Sequence, residues 1–234
     1  MQDTDILNPN SIARSVGLGL LASIILGILG SIFVVDGIDV NLTADILATA
    51  ENMLEAEQRL KAKAYLGLLA FALEALISVG LYLLLRKSGP FWAGCALFIS
   101  IGAAVLMLFG SVFAMNAAKI ASNVAFQTLT DETGRTMLAS LQATSDYTSF
   151  HLGLILTTAA NAIFFYLFFK SGLIPKLIAG WGLFASIFVV TVVIARDFIP
   201  VLGHNTLTAV FMVSNLIALV STGLYLAIRG VRAP

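Results

Sequence analysis

The sequence contains 234 residues, of which 59% are hydrophobic and 11% are charged. Soluble domains usually contain about 25% charged residues, so this composition excludes an ordinary water-soluble globule and a disordered chain. The 13 basic and 13 acidic residues balance to a formal net charge of zero, which excludes a basic surface that would attract nucleic acid. The composition therefore predicts an integral membrane protein.

Six apolar segments are long enough to cross a bilayer, which requires about 20 mostly apolar residues for each helix. Together they take up more than half of the chain and leave no room for a separate soluble domain, so we expect residues 1–234 to form a single integral membrane domain. The predicted fold class is all-α, a six-span transmembrane helical bundle with amphipathic helices in two long outer loops. The predicted spans are approximately 13–35, 64–86, 91–116, 148–170, 175–197 and 206–228.

Lysine and arginine residues lie in the short connections between the predicted spans. Arg86 and Lys87 separate spans two and three, the segment 170–176 separates spans four and five, and Arg229 and Arg232 follow span six. Short loops that are rich in these residues remain in the cytoplasm. Both termini are therefore predicted to be cytoplasmic.

The first outer loop contains a predicted amphipathic helix, residues 43–62, with Thr43 as its N-cap. Ile46, Met53 and Leu60 fall on its apolar face. No helix breaker separates it from span two, so the helix either extends span two beyond the membrane or lies on the membrane surface. The helix either caps the outer mouth of the bundle or forms a docking surface for a partner.

The second outer loop, residues 117–147, is also predicted to be largely helical. Residues 117–127 are expected to continue span three, Gly134 is expected to interrupt the helix, and Thr136–Thr144 is expected to form a further helical stretch. The same two interpretations, a cap of the bundle or a docking surface, apply to this loop.

Sequence motifs of the common catalytic and nucleotide-binding sites are missing. The chain has no G-x-x-x-x-G-K phosphate-binding loop, no H-E-x-x-H pair and no G-x-S. The histidines are His151 and His204, and a catalytic zinc site, which normally needs three protein ligands, would have to include Asp146 or Asp197. We therefore predict no metal and no cofactor, and we favour a non-enzymatic protein.

Glu74 is an acidic residue near the centre of span two. A charge at this depth costs about 2.5–3.5 kcal/mol on insertion scales. Ser78 follows on the same helical face, and Thr157, Asn161 and Asn215 lie at similar depth in spans four and six. We expect Glu74 to be buried, neutral at pH 7 and hydrogen-bonded to span four or six. These five residues either hold helices together or form a ligand- or proton-binding site.

A second candidate site is predicted at the outer mouth of the bundle. Arg196 and Asp197 end span five, His204 precedes span six, and His151 lies near the start of span four. One interpretation is an arginine whose side chain reaches to the membrane interface. The alternative is a site for an anionic headgroup or substrate.

Several local patterns stand out in and between the predicted spans: Leu73–Ile77, Asp146-Tyr147, Phe150–Leu154, Tyr166–Lys176 and Gly180–Leu183. Together they resemble a bacterial membrane family catalogued as domain of unknown function 4386. The resemblance extends over most of the chain and implies a multi-pass protein of the bacterial inner (cytoplasmic) membrane. It implies no particular activity.

The chain departs from the pattern of this family in two spans. Members often have an arginine and a glutamate in span three and a glutamate in span six. Span three has neither residue here, and Leu219 stands at the span-six position. If those charges serve a shared activity, this chain lacks it.

The leading functional prediction is a non-enzymatic integral membrane protein that binds a partner complex, a lipid or an apolar ligand. A small-solute or proton-coupled transporter that uses Glu74 is the alternative, and a membrane-embedded enzyme is the second alternative. The expected partners are membrane lipids and a larger membrane complex or a second copy of the chain, with no nucleic acid.

Overall fold

The structure, a computed structural model, describes residues 8–39 and 45–232, and this part of the chain forms helices and no strands. Six helices are long and apolar enough to cross a membrane, and each corresponds to one predicted span. The fold is therefore an all-α, six-span helical bundle, and the chain is a multi-pass membrane protein. The helices are α1 (Pro9–Phe33), α2 (Ile46–Glu55), α3 (Glu57–Leu85), α4 (Pro90–Ser122), α5 (Val124–Leu129), α6 (Glu132–Ser171), α7 (Lys176–Phe198) and α8 (Asn205–Arg229), with a 3₁₀ turn at Pro200–Gly203.

The first outer loop differs from its prediction in two ways. The expected single helix 43–62 is wrong, because α2 ends at Glu55 and α3 begins at Glu57. Between them Ala56, the C-cap of α2, has a ψ of 37° that departs from helical geometry. Asp45 caps α2 by accepting a hydrogen bond from the backbone N–H of Leu47 at 2.8 Å. The predicted N-cap, Thr43, lies outside the described residues.

The second outer loop also contains a break that the sequence pattern does not predict. α4 ends at Ser122, and Asn123 adopts an extended conformation and caps α5 through its side chain. The predicted interruption at Gly134 is wrong, because α6 runs unbroken through this residue. The side chain of Asp131 accepts the N–H of Gly134 at 2.9 Å, so the glycine occupies a capped first turn, where this N–H has no intrahelical partner.

The described residues divide into two compact units by their contacts. Unit 1 comprises the described residues of Met1–Ile24, Leu73–Gly102 and Leu154–Pro234. Unit 2 comprises those of Ile25–Ala72 and Ala103–Gly153. Each unit has its own buried apolar cluster.

Small residues bring the helices of unit 1 close together. A Cβ atom at Gly17 of α1 would overlap with the backbone nitrogen of Ala227 in α8. A Cβ atom at Gly182 of α7 would overlap with the ring of Phe165 in α6. Close backbone approach at small residues is typical of packed membrane helices, and it positions the polar groups described below.

Side chains of α2 and α3 hold the segment that follows α1 in unit 2. Arg59 donates hydrogen bonds to the carbonyls of Val34 and Asp36, and the amide of Asn52 donates to the carbonyl of Gly37 at 2.9 Å. These carbonyls lie just beyond the end of α1, so the bonds connect this segment to α2 and α3. Two polar side chains of the predicted helix 43–62 are thus engaged in hydrogen bonds within the chain.

The apolar face of the predicted helix 43–62 packs within unit 2. Met53 and Leu60 are buried in its core beside Ile38, whereas Ile46 is exposed. Two of the three apolar residues singled out for this face therefore contact the chain itself.

Candidate functional site

A small cavity lies beside Glu74 in unit 1. Its volume is about 80 Å³. Glu74 comes from α3, and Thr157 and Asn161 come from α6, so three of the predicted polar residues line one space. The remaining lining residues are Leu20, Ser23, Ile24, Ile77, Leu81, Phe164, Phe165, Phe168, Leu219 and Thr222.

The hydrogen bond to Glu74 comes from α4. The hydroxyl of Ser100 donates to Oε1 of Glu74 at 3.3 Å, and the Oγ atoms of Ser100 and Ser78 are 2.7 Å apart. The partner therefore belongs to span three, not to span four or six as predicted. Ser78 is one turn beyond Glu74 on α3, which places both side chains opposite Ser100. Residue types alone did not single out Ser100, but its depth in span three matches that of Glu74.

The polar residues on α6 and α8 differ in their surroundings. Oγ1 of Thr157 is buried and has no hydrogen-bond partner among the described residues. The side-chain oxygen of Asn215 is likewise buried without a partner within the described ranges, but Asn215 does not line the cavity. Of the five predicted residues, three line the cavity, Ser78 is connected to it through Ser100, and Asn215 lies apart from it.

The residues of the predicted outer-mouth site lie in both units. Arg196, Asp197 and His204 belong to unit 1, and His151 belongs to unit 2. Nδ1 of His204 accepts a hydrogen bond from the N–H of Thr206 at 3.4 Å, so this histidine caps α8. His151 is buried, and its ring lies 5.8 Å from that of Tyr147. His204 thus caps a helix, and His151 takes part in a buried ring contact.

An ionic cluster in unit 2 joins three charged residues that the sequence pattern did not connect. Nζ of Lys63 contacts Oδ1 of Asp39 at 3.0 Å and also binds Oδ2 of Asp146. A Cβ atom at Gly110 would overlap with Oδ1 of Asp146, so glycine allows this carboxylate to pack against α4. Lys63 and Asp146 are 83 residues apart, and each resembles an isolated interface charge in the sequence.

The structure shows no cluster suited to a metal ion in the part of the chain that it describes. Within residues 8–39 and 45–232, no group of three or more histidine, cysteine, aspartate or glutamate residues could hold one. Asp146, considered above as a zinc ligand, is engaged by Lys63 instead.

A larger cavity of about 770 Å³ lies in unit 2 between α2 and the first turns of α6. We call it the α2–α6 groove. Three glutamates and one arginine line it, giving a formal charge of −2. Leu47 and Met137, 56% and 76% exposed, supply apolar surface. The lining residues are Leu47, Glu51, Leu54, Glu55, Glu132, Thr133, Arg135, Thr136, Met137 and Ser140.

Comparison with known proteins identifies the family of the chain. No curated protein and no solved structure matches it. The model of the family described as Domain of unknown function (DUF4386) matches residues 15–230, nearly the whole chain. The matched range includes all six long helices apart from the first residues of α1. The chain therefore belongs to the DUF4386 family of membrane proteins.

Proposed function

We propose that this chain is a non-enzymatic membrane protein that binds a basic amphipathic helix of a partner protein in the α2–α6 groove. The observation that supports this proposal is the combination, in one groove, of three glutamates with exposed leucine and methionine side chains. Its volume of about 770 Å³ falls in the usual range of ligand sites, about 300–1,000 Å³.

The two faces of α2 have different environments. Thr49, Ala50 and Met53 are buried and face the interior of unit 2. The groove residues of α2 are Leu47, Glu51, Leu54 and Glu55, whose spacing places them on one face of the helix. One face of α2 therefore stabilises the fold, and the other remains available for a partner.

The chemistry of the groove favours a cationic and amphipathic occupant. A groove between two helices suits a third helix, which buries its apolar residues at i, i+3, i+4 and i+7. Lysine or arginine residues at its edges would balance Glu51, Glu55 and Glu132 and would accelerate association. The thioether of Met137 adapts to different apolar side chains.

The location of the protein is part of the same proposal. The short basic connections support an orientation with both termini in the cytoplasm. We infer residence in the bacterial inner membrane, with the α2–α6 groove on the outer side. The partner would then be an extracytoplasmic or membrane protein.

A binding experiment with designed peptides tests the groove. The probes are a labelled leucine–lysine amphipathic peptide of about 14 residues, roughly four helical turns, and the leucine–glutamate peptide of the same pattern. Fluorescence anisotropy is measured with the full chain in lipid nanodiscs. We expect the basic peptide to bind and the acidic peptide not to bind. Binding of both peptides, or of neither, would contradict the proposal, and binding of lipid or apolar ligands alone would favour the other occupants considered above.

A matched pair of variants localises the binding. Glu51→Gln removes one charge from the groove, whereas Asp36→Asn removes one exposed charge of unit 2 that does not line it. An exposed charge pair is worth about 0.2–1 kcal/mol, so Glu51→Gln should weaken binding by about 1.4- to 5-fold. Asp36→Asn should leave the affinity unchanged, and equal effects would place the peptide elsewhere.

The Glu74 cavity supports a second candidate function, a small-solute or proton-coupled transporter. Acidic residues in the membrane interior commonly lie on ion pathways, and Glu74 lines a cavity with a hydroxyl and an amide group. The test is proton flux into liposomes that contain the wild-type chain or Glu74→Gln. A proton flux that is present with the wild-type chain and absent with Glu74→Gln would favour transport over the alternative in which Glu74 only holds helices together.

A further inference from the structure

We propose that the cavity beside Glu74 is a binding site for a monovalent cation, which competes with a proton for the Glu74 carboxylate. This inference is independent of the α2–α6 groove and would stand if no peptide bound there. It concerns occupancy of the site and holds whether or not the bound ion is transported.

The charge balance of the cavity requires a neutralising species. Glu74 is the titratable group among its described lining residues. α1 contributes leucine, serine and isoleucine, α6 contributes a hydroxyl, an amide and three phenyl rings, and α8 contributes leucine and threonine. α4 contributes the hydroxyl of Ser100 through its hydrogen bond to Glu74. Because none of these groups carries a positive charge, an ionised Glu74 would need a cation, and a neutral Glu74 would need a proton.

The donor atoms fit a hard cation. Carboxylate, hydroxyl and amide oxygens are available from Glu74, Thr157, Asn161 and Ser23. Oxygen donors of these kinds are the preferred ligands of hard metal ions. Thr157 lines the cavity, and its Oγ1 is buried and makes no hydrogen bond within the described residues, so the wall holds a hydroxyl without a partner.

The size and charge of the site narrow the ligand class. A water molecule occupies about 30 Å³ in the liquid, so a cavity of about 80 Å³ holds a small cation with one or two waters. This volume is well below the usual range of about 300–1,000 Å³ for a small-molecule pocket, which favours a small ion over a sugar. A single carboxylate balances one positive charge, and no cluster of three acidic, histidine or cysteine residues suited to a divalent ion occurs in the described chain. Sodium, potassium and ammonium ions remain as candidates.

Thermal unfolding in the presence of different cations tests the site. The midpoint is measured for the full chain in non-ionic detergent with sodium, potassium, ammonium or choline chloride at equal ionic strength between pH 6 and pH 9. At least one small cation should raise the midpoint, because a ligand that binds only the folded state stabilises it. Choline, a much larger cation, should not. Because one proton competes with the cation, the apparent Kd of the cation should rise by about tenfold for each unit by which the pH falls below the pKa of the carboxyl group.

Three variants connect this effect to the cavity. Glu74→Gln retains the shape and removes the charge, so the cation dependence should disappear. Glu57→Gln makes the same change on α3 outside the cavity and should leave the dependence intact. If Glu74→Gln does not fold, Thr157→Val retains the carboxylate and should weaken the apparent affinity several-fold while preserving the competition with protons.

Any one of three results would overturn the proposal. They are a wild-type midpoint that no small cation raises, an equal effect of choline, and a cation dependence that persists in Glu74→Gln. If only Thr157→Val is available, an affinity equal to that of the wild type would equally exclude the proposed coordination.

Discussion

Replacing Lys63 with methionine removes the cation that contacts both Asp39 and Asp146 in unit 2. The side chains of Lys63 and Asp146 are 13% and 12% exposed, whereas that of Asp39 is 38% exposed. Removing one partner of a buried ion pair costs about 3–5 kcal/mol, because the remaining charge loses its compensation. Because both side chains of this pair retain some access to water, we expect Lys63→Met to fall at the lower end of that range, with a loss of about 3 kcal/mol in the free energy of unfolding.

The partners of Lys63 should differ in their effects. Asp39→Asn removes a more exposed partner and should cost less than about 1 kcal/mol. Asp146→Asn leaves Lys63 with Asp39 and should cost an intermediate amount, about 1–3 kcal/mol. In the double variant Lys63→Met/Asp146→Leu no buried charge of this pair remains uncompensated. Its stability should therefore exceed that of Lys63→Met alone.

The assay is reversible unfolding in mixed micelles, titrated with sodium dodecyl sulfate and followed by circular dichroism. Tryptophan fluorescence is less suitable, because Trp92 and Trp181 both belong to unit 1. The reasoning fails if Lys63→Met costs no more than Asp39→Asn. It also fails if the double variant is less stable than Lys63→Met.

Three further predictions concern packing and topology. Gly110→Ala should lower the free energy of unfolding by about 1–3 kcal/mol, because the added Cβ displaces the carboxylate of Asp146. Gly102→Ala is the control: no heavy atom lies within 4 Å of its added Cβ, so the free energy of unfolding should not fall in the same assay. Met53→Ser should destabilise the chain by about 2–5 kcal/mol, measured by the same titration, because this side chain is buried in unit 2. Single cysteines are introduced at Ser88 and Thr133 in a chain without its native cysteine. An impermeant thiol reagent should label these two positions from opposite faces of the membrane. Labelling of both from the same face would contradict the six-span topology.

The six spans follow from hydropathy because each bilayer crossing imposes the same requirement on length and composition. The outer segments were predicted less well, since their geometry depends on single residues. Ala56 has a high helix propensity, yet it is the non-helical C-cap between α2 and α3, and Met53 and Leu60 on either side of it are both buried in the core of unit 2. At Gly134, a cap from Asp131 offsets the cost of glycine that the sequence pattern suggested.

The candidate site was predicted in part. Depth along the helices brought Glu74, Thr157 and Asn161 together, because residues at equal depth on facing helices meet. Depth does not specify which way each helix is rotated, and this explains why Asn215 lies apart from the cavity while Ser100 bonds to Glu74. Close packing at small residues such as Gly17, which approaches the backbone of α8, constrains how neighbouring helices are rotated, and it depends on both helices together.

Leu219 connects the departure from the family pattern to the chemistry of the Glu74 cavity. The family resemblance implies an acidic residue at this position of span six, and Leu219 lines the same cavity as Glu74. A second carboxylate in about 80 Å³ would face Glu74 across a poorly solvated space, and two such groups would require either a shared proton or a ligand of higher charge. With leucine at position 219, the carboxylate of Glu74 has no second carboxylate beside it among the lining residues of the cavity. On the cation proposal, this departure from the family pattern leaves one carboxylate, which a single monovalent ion balances.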